Sequence, residues 1–174
     1  EVASEMKKTA PVAIRFNPNV DAGVHEFTKT GRKSDKFGVS IESTKDLVEK
    51  CLKIDSLKLV GLTCHIGSQI MELKSFEDAA KQALELLVEL DKQNINLDFI
   101  DMGGGLGVNY VGEETFQPFE LIQSYEKIFT GRNERLVLEP GRSISANAGI
   151  MLTRVEYVKN GFGVSDKNLK IFLF

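Results

Sequence analysis

Polar and charged residues stand where apolar runs of the sequence end. The run LVL at 136–138 leads into Glu139, and Arg142 follows three residues later. An earlier run ends at His65, and another is followed by the glycine-rich sequence GGGLG at 103–107. Exposed backbone amides and a guanidinium group bind anions, and a carboxylate accepts a hydrogen bond from a protonated ring nitrogen. These residue types predict a site for a ligand that carries a phosphate or carboxylate group.

The glycine run at 103–107 is the predicted anion site. Glycine lets backbone N–H groups approach a phosphate closely and tolerates a positive φ. A tight turn after a strand is the alternative explanation for such a run. The run is not a Rossmann fingerprint, because G-x-G-x-x-G leading straight into a helix is missing, and it is not a Walker loop, because no Gly-Lys-Ser/Thr follows.

His65 is one of two histidines in the chain. Alternation along the preceding strand places it on the same face as Gly61 and Thr63, so we expect its imidazole to point into the site. The alternative is a purely structural histidine. The other histidine, His25, lies in a polar stretch and is expected to be solvated.

Glu139 and Arg142 allow two interpretations. A mutual salt bridge would satisfy both charges and leave neither for a ligand. If both side chains instead point toward the glycines, Arg142 can bind a phosphate or carboxylate as a fork, and Glu139 can accept a hydrogen bond from a charged ring nitrogen.

Strand-like runs alternate with helical patterns, which predicts a parallel α/β sheet whose chemistry gathers at the carboxyl ends of its strands. The predicted strands end at Arg15, His65, Met102 and Glu139, at intervals that fit successive βα units. A complete (β/α)8 barrel takes about 250 residues, so 174 residues form either an open sheet or part of a barrel. Further apolar runs at 151–158 and 169–174 are expected to form a hairpin or an excursion.

Helical periodicity predicts three helices between the strands. Ser43 and Ser75 each begin an S-x-x-D sequence, which is typical of a helix N-terminus, and we expect helices to start there. A third helix is expected to start near Pro118, which suits a first-turn position, and to stop by Gly131.

Composition bounds the class of protein. Hydrophobic residues make up 42% of the chain and charged residues 27%, which is typical of a globular protein. A net charge of −3 gives no electrostatic footprint for nucleic acid or an anionic membrane surface. The sequence shows neither a membrane-length apolar run nor the apolar core of a signal peptide. Cys51 and Cys64 lack metal-ligand spacing, so we expect buried, reduced thiols, no metal and a cytoplasmic protein.

Four motifs at the predicted strand ends together resemble one enzyme family. They are RFNPNVDAGVHEFTKTGRKSDKFGV at 15–39, HIGSQ at 65–69, DMGGGLGVNY at 101–110 and EPGRSI at 139–144. In this order the sequence resembles the diaminopimelate decarboxylases, of the alanine-racemase-like (fold-type III) barrel group of pyridoxal-phosphate enzymes. The resemblance covers nearly the whole chain. The TG…KFG sequence at 30–38 favours this family over its relatives.

The resemblance implies a role for each matching residue. The residues that match the family's binding set for pyridoxal 5′-phosphate are His65, Ser68, Gly104, Gly105, Glu139, Gly141 and Arg142. His65 and Glu139 are also the expected catalytic residues, since the histidine stacks on the cofactor ring and the glutamate keeps the pyridine nitrogen protonated. Arg142 is expected in the cluster that binds the phosphate and the substrate.

The resemblance also implies a (β/α)8 TIM-like barrel, of which this chain supplies the C-terminal half or more, without the family's C-terminal β-domain. Residues 1–150 are expected to form the cofactor-binding barrel segment, and 151–174 the last strand region and the start of the connection to that β-domain. The Schiff-base lysine is expected upstream of residue 1, and Lys36 does not match it. The catalytic cysteine is expected in the β-domain, and neither Cys51 nor Cys64 matches it.

The implied reaction of the intact protein, a homodimer, is decarboxylation of meso-2,6-diaminopimelate at its D-centre to L-lysine and CO2. We expect the 174 residues alone to be inactive. One alternative is a related barrel-fold decarboxylase that acts on ornithine, arginine or carboxynorspermidine. Others are a non-catalytic homologue that binds the cofactor, and a phosphate-binding α/β domain without decarboxylase ancestry.

Overall fold

The computed structural model describes residues 1–21, 37–110, 112, 115–150, 152 and 154. In chain order its elements are α1 (Val2–Glu5), β1 (Ala10–Arg15), α2 (Ile41–Leu52), β2 (Leu57–Thr63), α3 (Leu73–Asp91), β3 (Phe99–Asp101), α4 (Pro118–Ile128), β4 (Arg135–Val137) and α5 (Arg142–Ser145). His25, most of the TG…KFG sequence and nearly all of the apolar runs at 151–158 and 169–174 lie outside the described residues.

The four strands form one parallel sheet in the order β1-β2-β3-β4. Each new strand is added on the same side of the previous one, so the order never reverses as it does in a doubly wound sheet. A sheet that grows in one direction, with a helix after each strand, is the arrangement of a (β/α)8 barrel segment. The predicted parallel α/β architecture is confirmed.

One face of the sheet packs against the helices. Leu62 of β2 lies beside Ile14 of β1 and Ile100 of β3, and Leu62 and Ile100 are almost fully buried. They share one hydrophobic cluster with residues of α2, α3 and α4, including Val48, Leu87 and Tyr125. Because apolar burial is the main driving force for folding, this cluster fixes the helices on that face. None of the helices in the described ranges is long and apolar enough to cross a membrane.

The opposite face carries polar residues toward the carboxyl end of the strands. In register across the sheet, Arg15, Thr63, Asp101 and Val137 form one row. Asp101 is only 8% exposed, which is unusual for a carboxylate without compensating hydrogen bonds. The row therefore marks this end of the sheet as the polar one.

The strands end slightly earlier than predicted. The observed last residues are Arg15, Thr63, Asp101 and Val137, so only the first prediction is confirmed. The predicted ends at His65, Met102 and Glu139 are wrong by one or two residues. Backbone amides at these positions still bond to a neighbouring strand or its loop, as when Met102 N donates to Val137 O at 3.0 Å and Glu139 N donates to Gly103 O at 2.8 Å, but the chain there has already left the strand.

Two helix starts also differ from prediction. α2 begins at Ile41, and its N-cap is Ser40, whose hydroxyl accepts a hydrogen bond from the Ser43 amide at 3.1 Å. α3 begins at Leu73, and Ser75 is 6% exposed inside the helix. The predicted starts at Ser43 and Ser75 are wrong, because an earlier serine caps α2 and because Leu73, two residues before Ser75, already packs against the core.

The start of α4 agrees with the sequence. Pro118 occupies the first helical position, where its missing N–H costs nothing. Gln117 is the N-cap, and its backbone amide donates to the Glu120 carboxylate at 2.7 Å, as in a capping box. The helix ends at Ile128, before Gly131 as expected.

A single arginine joins the end of α3 to the loop that enters β4. Arg132 forms ion pairs with Asp91 and Glu134, and its Nε donates to a Glu134 oxygen at 3.0 Å. The arginine and Glu134 side chains are 16% and 7% exposed, so water competes little for the pair. This link holds β4, and with it the residues that follow β4, against the helical layer.

We expect Arg132→Met in the intact protein to lower the free energy of unfolding by about 1–3 kcal/mol, because it leaves the Glu134 carboxylate buried without its donor. Lys127→Met, which removes an exposed cation from α4, is the matched control and should change stability by less than about 0.5 kcal/mol. Urea unfolding of both variants measures the difference. If Arg132→Met were as stable as Lys127→Met, the structural role given to Arg132 would be contradicted.

Candidate functional site

The glycine turn (residues 103–108) is packed backbone against backbone between two neighbouring loops. A Cβ atom on Gly104 would lie 2.0 Å from the carbonyl oxygen of Glu139, and one on Gly105 would lie 2.1 Å from that of Gly67. Gly105 also has a φ of +101°, a conformation that side chains disfavour. Glycine is therefore required here to bring three strand ends together.

Hydrogen bonds fasten the glycine turn to both of these loops. The Glu139 amide donates to Gly103 O at 2.8 Å, on the β4 side. On the β2 side, Ile70 N donates to Gly105 O and Gly107 N donates to Ile70 O, both at 2.9 Å. The glycines thus form the tight turn that was the alternative explanation, and this turn also connects the loops after β2 and β4 by hydrogen bonds.

His65 lies directly against this turn. Its Nδ1 accepts a hydrogen bond from the Gly104 amide at 3.2 Å, so the neutral ring carries its proton on Nε2. Partial burial, reinforced by the positive charge of Arg15, holds the pKa of His65 below 6.5, against the opposing effect of Glu139 and Asp101. His65 therefore lies in the loop two residues beyond the end of β2, with its ring against the glycine turn.

Two backbone amides of the glycine turn have no acceptor in the part of the chain that the structure describes. The amides of Gly103, Gly104, Gly107 and Val108 donate to Asp101, His65, Ile70 and Gln69. Among the described residues, none accepts a hydrogen bond from the amide of Gly105 or of Leu106. Leu106 is 9% exposed, and unpaired N–H groups are rare at such burial. Two adjacent unpaired donors are suited to an anion.

Glu139, Gly141 and Arg142 lie on the exposed rim beside the turn. No ion pair within 4.0 Å joins Glu139 to Arg142, both of which lie in the described part of the chain, so the mutual salt bridge considered from the sequence is absent. Arg142 is the first residue of α5, and its Nη1 donates to the Tyr110 hydroxyl at 3.4 Å. The guanidinium group is therefore held at the rim rather than neutralised by its neighbour.

Ser68 follows Gly67, whose carbonyl lies against Gly105, so the serine stands next to the glycine turn and is half-buried. The structure thus brings His65, Ser68, Gly104, Gly105 and Glu139 to one place at the end of the sheet.

Sequence reasoning missed four residues at this place. They are Gln69, Asp101, Leu106 and Tyr110. Asp101 could have been found, because an aspartate two residues before a glycine commonly accepts that residue's amide, and here it does at 2.8 Å. Gln69 and Tyr110 carried no such local signal, because their contacts lie 39 and 32 residues away in the chain.

The two cysteines take no part in this chemistry. Both are free and buried. Burial, with a smaller contribution from the negative charge of Asp101, raises the pKa of Cys64 to about 12, so its thiol stays protonated and unreactive at neutral pH. Within the described ranges no group of three histidine, cysteine, aspartate or glutamate side chains is arranged to hold a metal ion.

The residues present fit pyridoxal 5′-phosphate, the cofactor that the sequence resemblance implies. The two unpaired amides, the Ser68 hydroxyl and the Arg142 guanidinium group suit its phosphate. The Glu139 carboxylate suits a protonated ring nitrogen, and the imidazole of His65 offers a flat surface for stacking. The phosphate, the aromatic ring and the ring nitrogen of the cofactor thus each have a suitable group at this end of the sheet.

A proton titration tests the state of His65. Protonating Nδ1 would remove the hydrogen bond from Gly104 and charge a half-buried ring, so the folded protein binds this proton less readily than the unfolded chain. We therefore expect the His65 Cε1–H signal, assigned with His65→Gln, to titrate below pH 6.5. Stability should fall as the pH drops from 6.5 through that midpoint. A midpoint at or above 6.5 in cofactor-free protein would contradict the arrangement.

Comparison with known proteins gives the same family as the sequence motifs. The family model for "Pyridoxal-dependent decarboxylase, pyridoxal binding domain" matches residues 1–146. The chain is 43% identical over 159 residues to the diaminopimelate decarboxylase of Pseudomonas aeruginosa, and 38% identical over 174 residues to that of Haemophilus influenzae. These alignments cover 91% and 97% of this chain but only 38% and 42% of the two relatives.

A solved structure shows the same fold. The crystal structure of diaminopimelate decarboxylase from Helicobacter pylori, complexed with L-lysine, superposes with a TM-score of 0.80 at 34% identity. The superposition covers 82% of this chain and 36% of that one. The resemblance inferred from the four strand-end motifs is confirmed: this chain belongs to the pyridoxal-dependent decarboxylase family, and its residues 1–146 match the family's pyridoxal binding domain.

Proposed function

We propose that the intact protein that carries this chain is a pyridoxal-phosphate-dependent decarboxylase that converts meso-2,6-diaminopimelate to L-lysine and CO2. The identities of 43% and 38% to enzymes named diaminopimelate decarboxylase support this substrate. The L-lysine bound in the Helicobacter pylori structure is the product of that reaction. Since the chain spans about 40% of those relatives, the activity is proposed for the intact protein.

The observation that carries the proposal is the pair of unpaired amides of Gly105 and Leu106 beside His65 and Glu139. A phosphate needs donors that the protein has not already satisfied, and in this turn they are adjacent. The ring of the same molecule needs a flat neighbour and an acceptor for its nitrogen. The imidazole and the carboxylate stand on the two loops that pack against the turn.

In the proposed site, the glycine turn, Ser68 and Arg142 bind the phosphate and so fix the position of the ring. His65, neutral because its Nδ1 accepts from Gly104, presents its face to the ring. Glu139 keeps a proton on the ring nitrogen. When bound, the cofactor supplies the electron sink that delocalises the carbanion left by loss of CO2.

Arg15 and Asp101, in the polar row at the end of the sheet, influence the protonation of His65. Burial, reinforced by the negative charge of Glu139, raises the pKa of Asp101, although its hydrogen bond from Gly103 opposes this. Arg15 supplies the positive charge of the row and acts on both His65 and Asp101. The arrangement favours an uncharged imidazole at neutral pH.

The competing substrates are ornithine, arginine and carboxynorspermidine, and a non-catalytic cofactor-binding homologue is the competing class. Initial rates of CO2 release by the intact protein on these substrates and on meso-diaminopimelate discriminate among them. The proposal requires the highest kcat/KM for meso-diaminopimelate. A higher kcat/KM for one of the other amino acids would replace the proposed substrate. Cofactor binding without turnover of any of the four substrates would show a non-catalytic homologue.

A homodimer in the cytoplasm is part of the same proposal and rests on the family resemblance alone. Sedimentation velocity of the intact protein measures the oligomeric state. A monomer at micromolar concentration would remove the dimer from the proposal and leave the reaction unaffected.

Replacing Glu139 tests the mechanism. We expect Glu139→Gln in the intact protein to lower kcat by about a hundredfold or more, because an amide cannot balance a proton on the ring nitrogen as a carboxylate does. Glu126→Gln, which changes an exposed glutamate of α4, is the matched control and should leave kcat unchanged. Near-normal turnover by Glu139→Gln would remove Glu139 from this role.

A further inference from the structure

Asp101 holds the first residue of the glycine turn. Its Oδ1 accepts the Gly103 amide at 2.8 Å, and the carboxylate is buried at the end of β3. Gly103 has a φ of +69°, and a Cβ there would lie 2.5 Å from the carbonyl oxygen of Cys64. Because glycine can adopt many conformations, the bond selects one of them where the chain leaves β3.

Gln69 holds the other end of the same turn. Its side-chain amide donates to Val108 O at 2.7 Å and accepts from Val108 N at 3.1 Å. One side chain thus satisfies both backbone groups of one residue, as a neighbouring strand would. Gln69 itself has a φ of +63°, which is uncommon for a residue other than glycine and costs conformational energy.

Between these two attachments the backbone has little freedom. The Gly104 amide is bound to His65, Gly105 O and Gly107 N are bound to Ile70, and glycine carbons contact neighbouring backbone. The amides that remain, those of Gly105 and Leu106, lie at the centre of the held segment. A loop fixed before its ligand arrives loses less entropy on binding.

We propose that Asp101 and Gln69 are positioning residues that hold the glycine turn in the shape that presents the Gly105 and Leu106 amides to the cofactor phosphate. The inference rests on the proposed function. It assigns both side chains a role in affinity for the phosphate group, through the turn and not through contact with the ring.

The test compares two ligands that differ only in the phosphate. The dissociation constants of pyridoxal 5′-phosphate and of pyridoxal are measured on cofactor-free intact protein by absorbance titration. A variant that disturbs only the turn should weaken binding of the phosphorylated ligand and leave that of pyridoxal nearly unchanged. General damage to the fold would weaken both.

For Asp101, we expect Asp101→Ala to raise the dissociation constant of pyridoxal 5′-phosphate about tenfold, the effect of losing one hydrogen bond to a charged group. Asp101→Asn keeps an oxygen acceptor for the Gly103 amide and should recover most of the affinity. Asp46→Ala, which changes an exposed aspartate of α2, is the control and should match the unaltered protein.

For Gln69, we expect Gln69→Glu to raise the same dissociation constant about tenfold or more. A carboxylate can accept from Val108 N but cannot donate to Val108 O, so it repels the carbonyl that the amide binds. Gln123→Glu, at an exposed position of α4, makes the same chemical change away from the site and should have no effect.

Hydrogen exchange of the cofactor-free protein gives a second measurement that does not depend on the ligand. The Gly103 amide should exchange at least about tenfold faster in Asp101→Ala, and the Val108 amide at least about tenfold faster in Gln69→Glu. Amides of the sheet away from the turn should keep their exchange rates, since general destabilisation would speed exchange at all of them.

The outcomes separate this inference from the proposed function. If the unaltered protein binds pyridoxal 5′-phosphate and pyridoxal equally well, the proposed cofactor site fails. If it prefers the phosphorylated ligand, and Asp101→Ala and Gln69→Glu keep that preference, the positioning roles are refuted while the site stands. Loss of affinity for both ligands in parallel would also refute them.

Discussion

The site depends on contact between backbones at the glycine turn. The loops after β2, β3 and β4 approach so closely that a methyl group on Gly104 or Gly105 would fall about 2 Å from a carbonyl oxygen. Only glycine permits this, and the closeness brings His65 from one loop and Glu139 from another to the same turn. The cofactor site that we propose at this end of the sheet depends on that steric constraint, because the loops that the glycines join carry its functional groups.

The sheet makes the constraint possible. Parallel strands added in chain order end at one edge, so their polar ends are neighbours without any long connection across the fold. The helical layer on one face is held by apolar burial and by ion pairs such as those of Arg132, and the other face carries Arg15 and Asp101 beneath the site. Stability and chemistry are thus divided between the two faces of one sheet.

Much of the fold could be predicted from the sequence. Apolar periodicity gives the order of the strands and helices, and charged residues after buried runs identify the polar end of the sheet. The glycines at 103–107 indicate both a turn and an anion site, and the structure shows the turn packed between two loops, with two amides that have no acceptor among the described residues. Helix starts were less accessible, because S-x-x-D at Ser75 also occurs inside a helix. The contacts of Gln69 were inaccessible, because a side-chain bond to a residue 39 positions away depends on the register of neighbouring strands.

A crystal structure of the intact protein with pyridoxal 5′-phosphate tests the central claim most directly. We predict that the phosphate lies against the amides of Gly105 and Leu106, while the Gly104 amide still donates to His65 and Glu139 faces the ring nitrogen. A phosphate bound elsewhere, or a glycine turn that has rearranged to receive it, would contradict the claim that packing between the strand ends forms the site in advance.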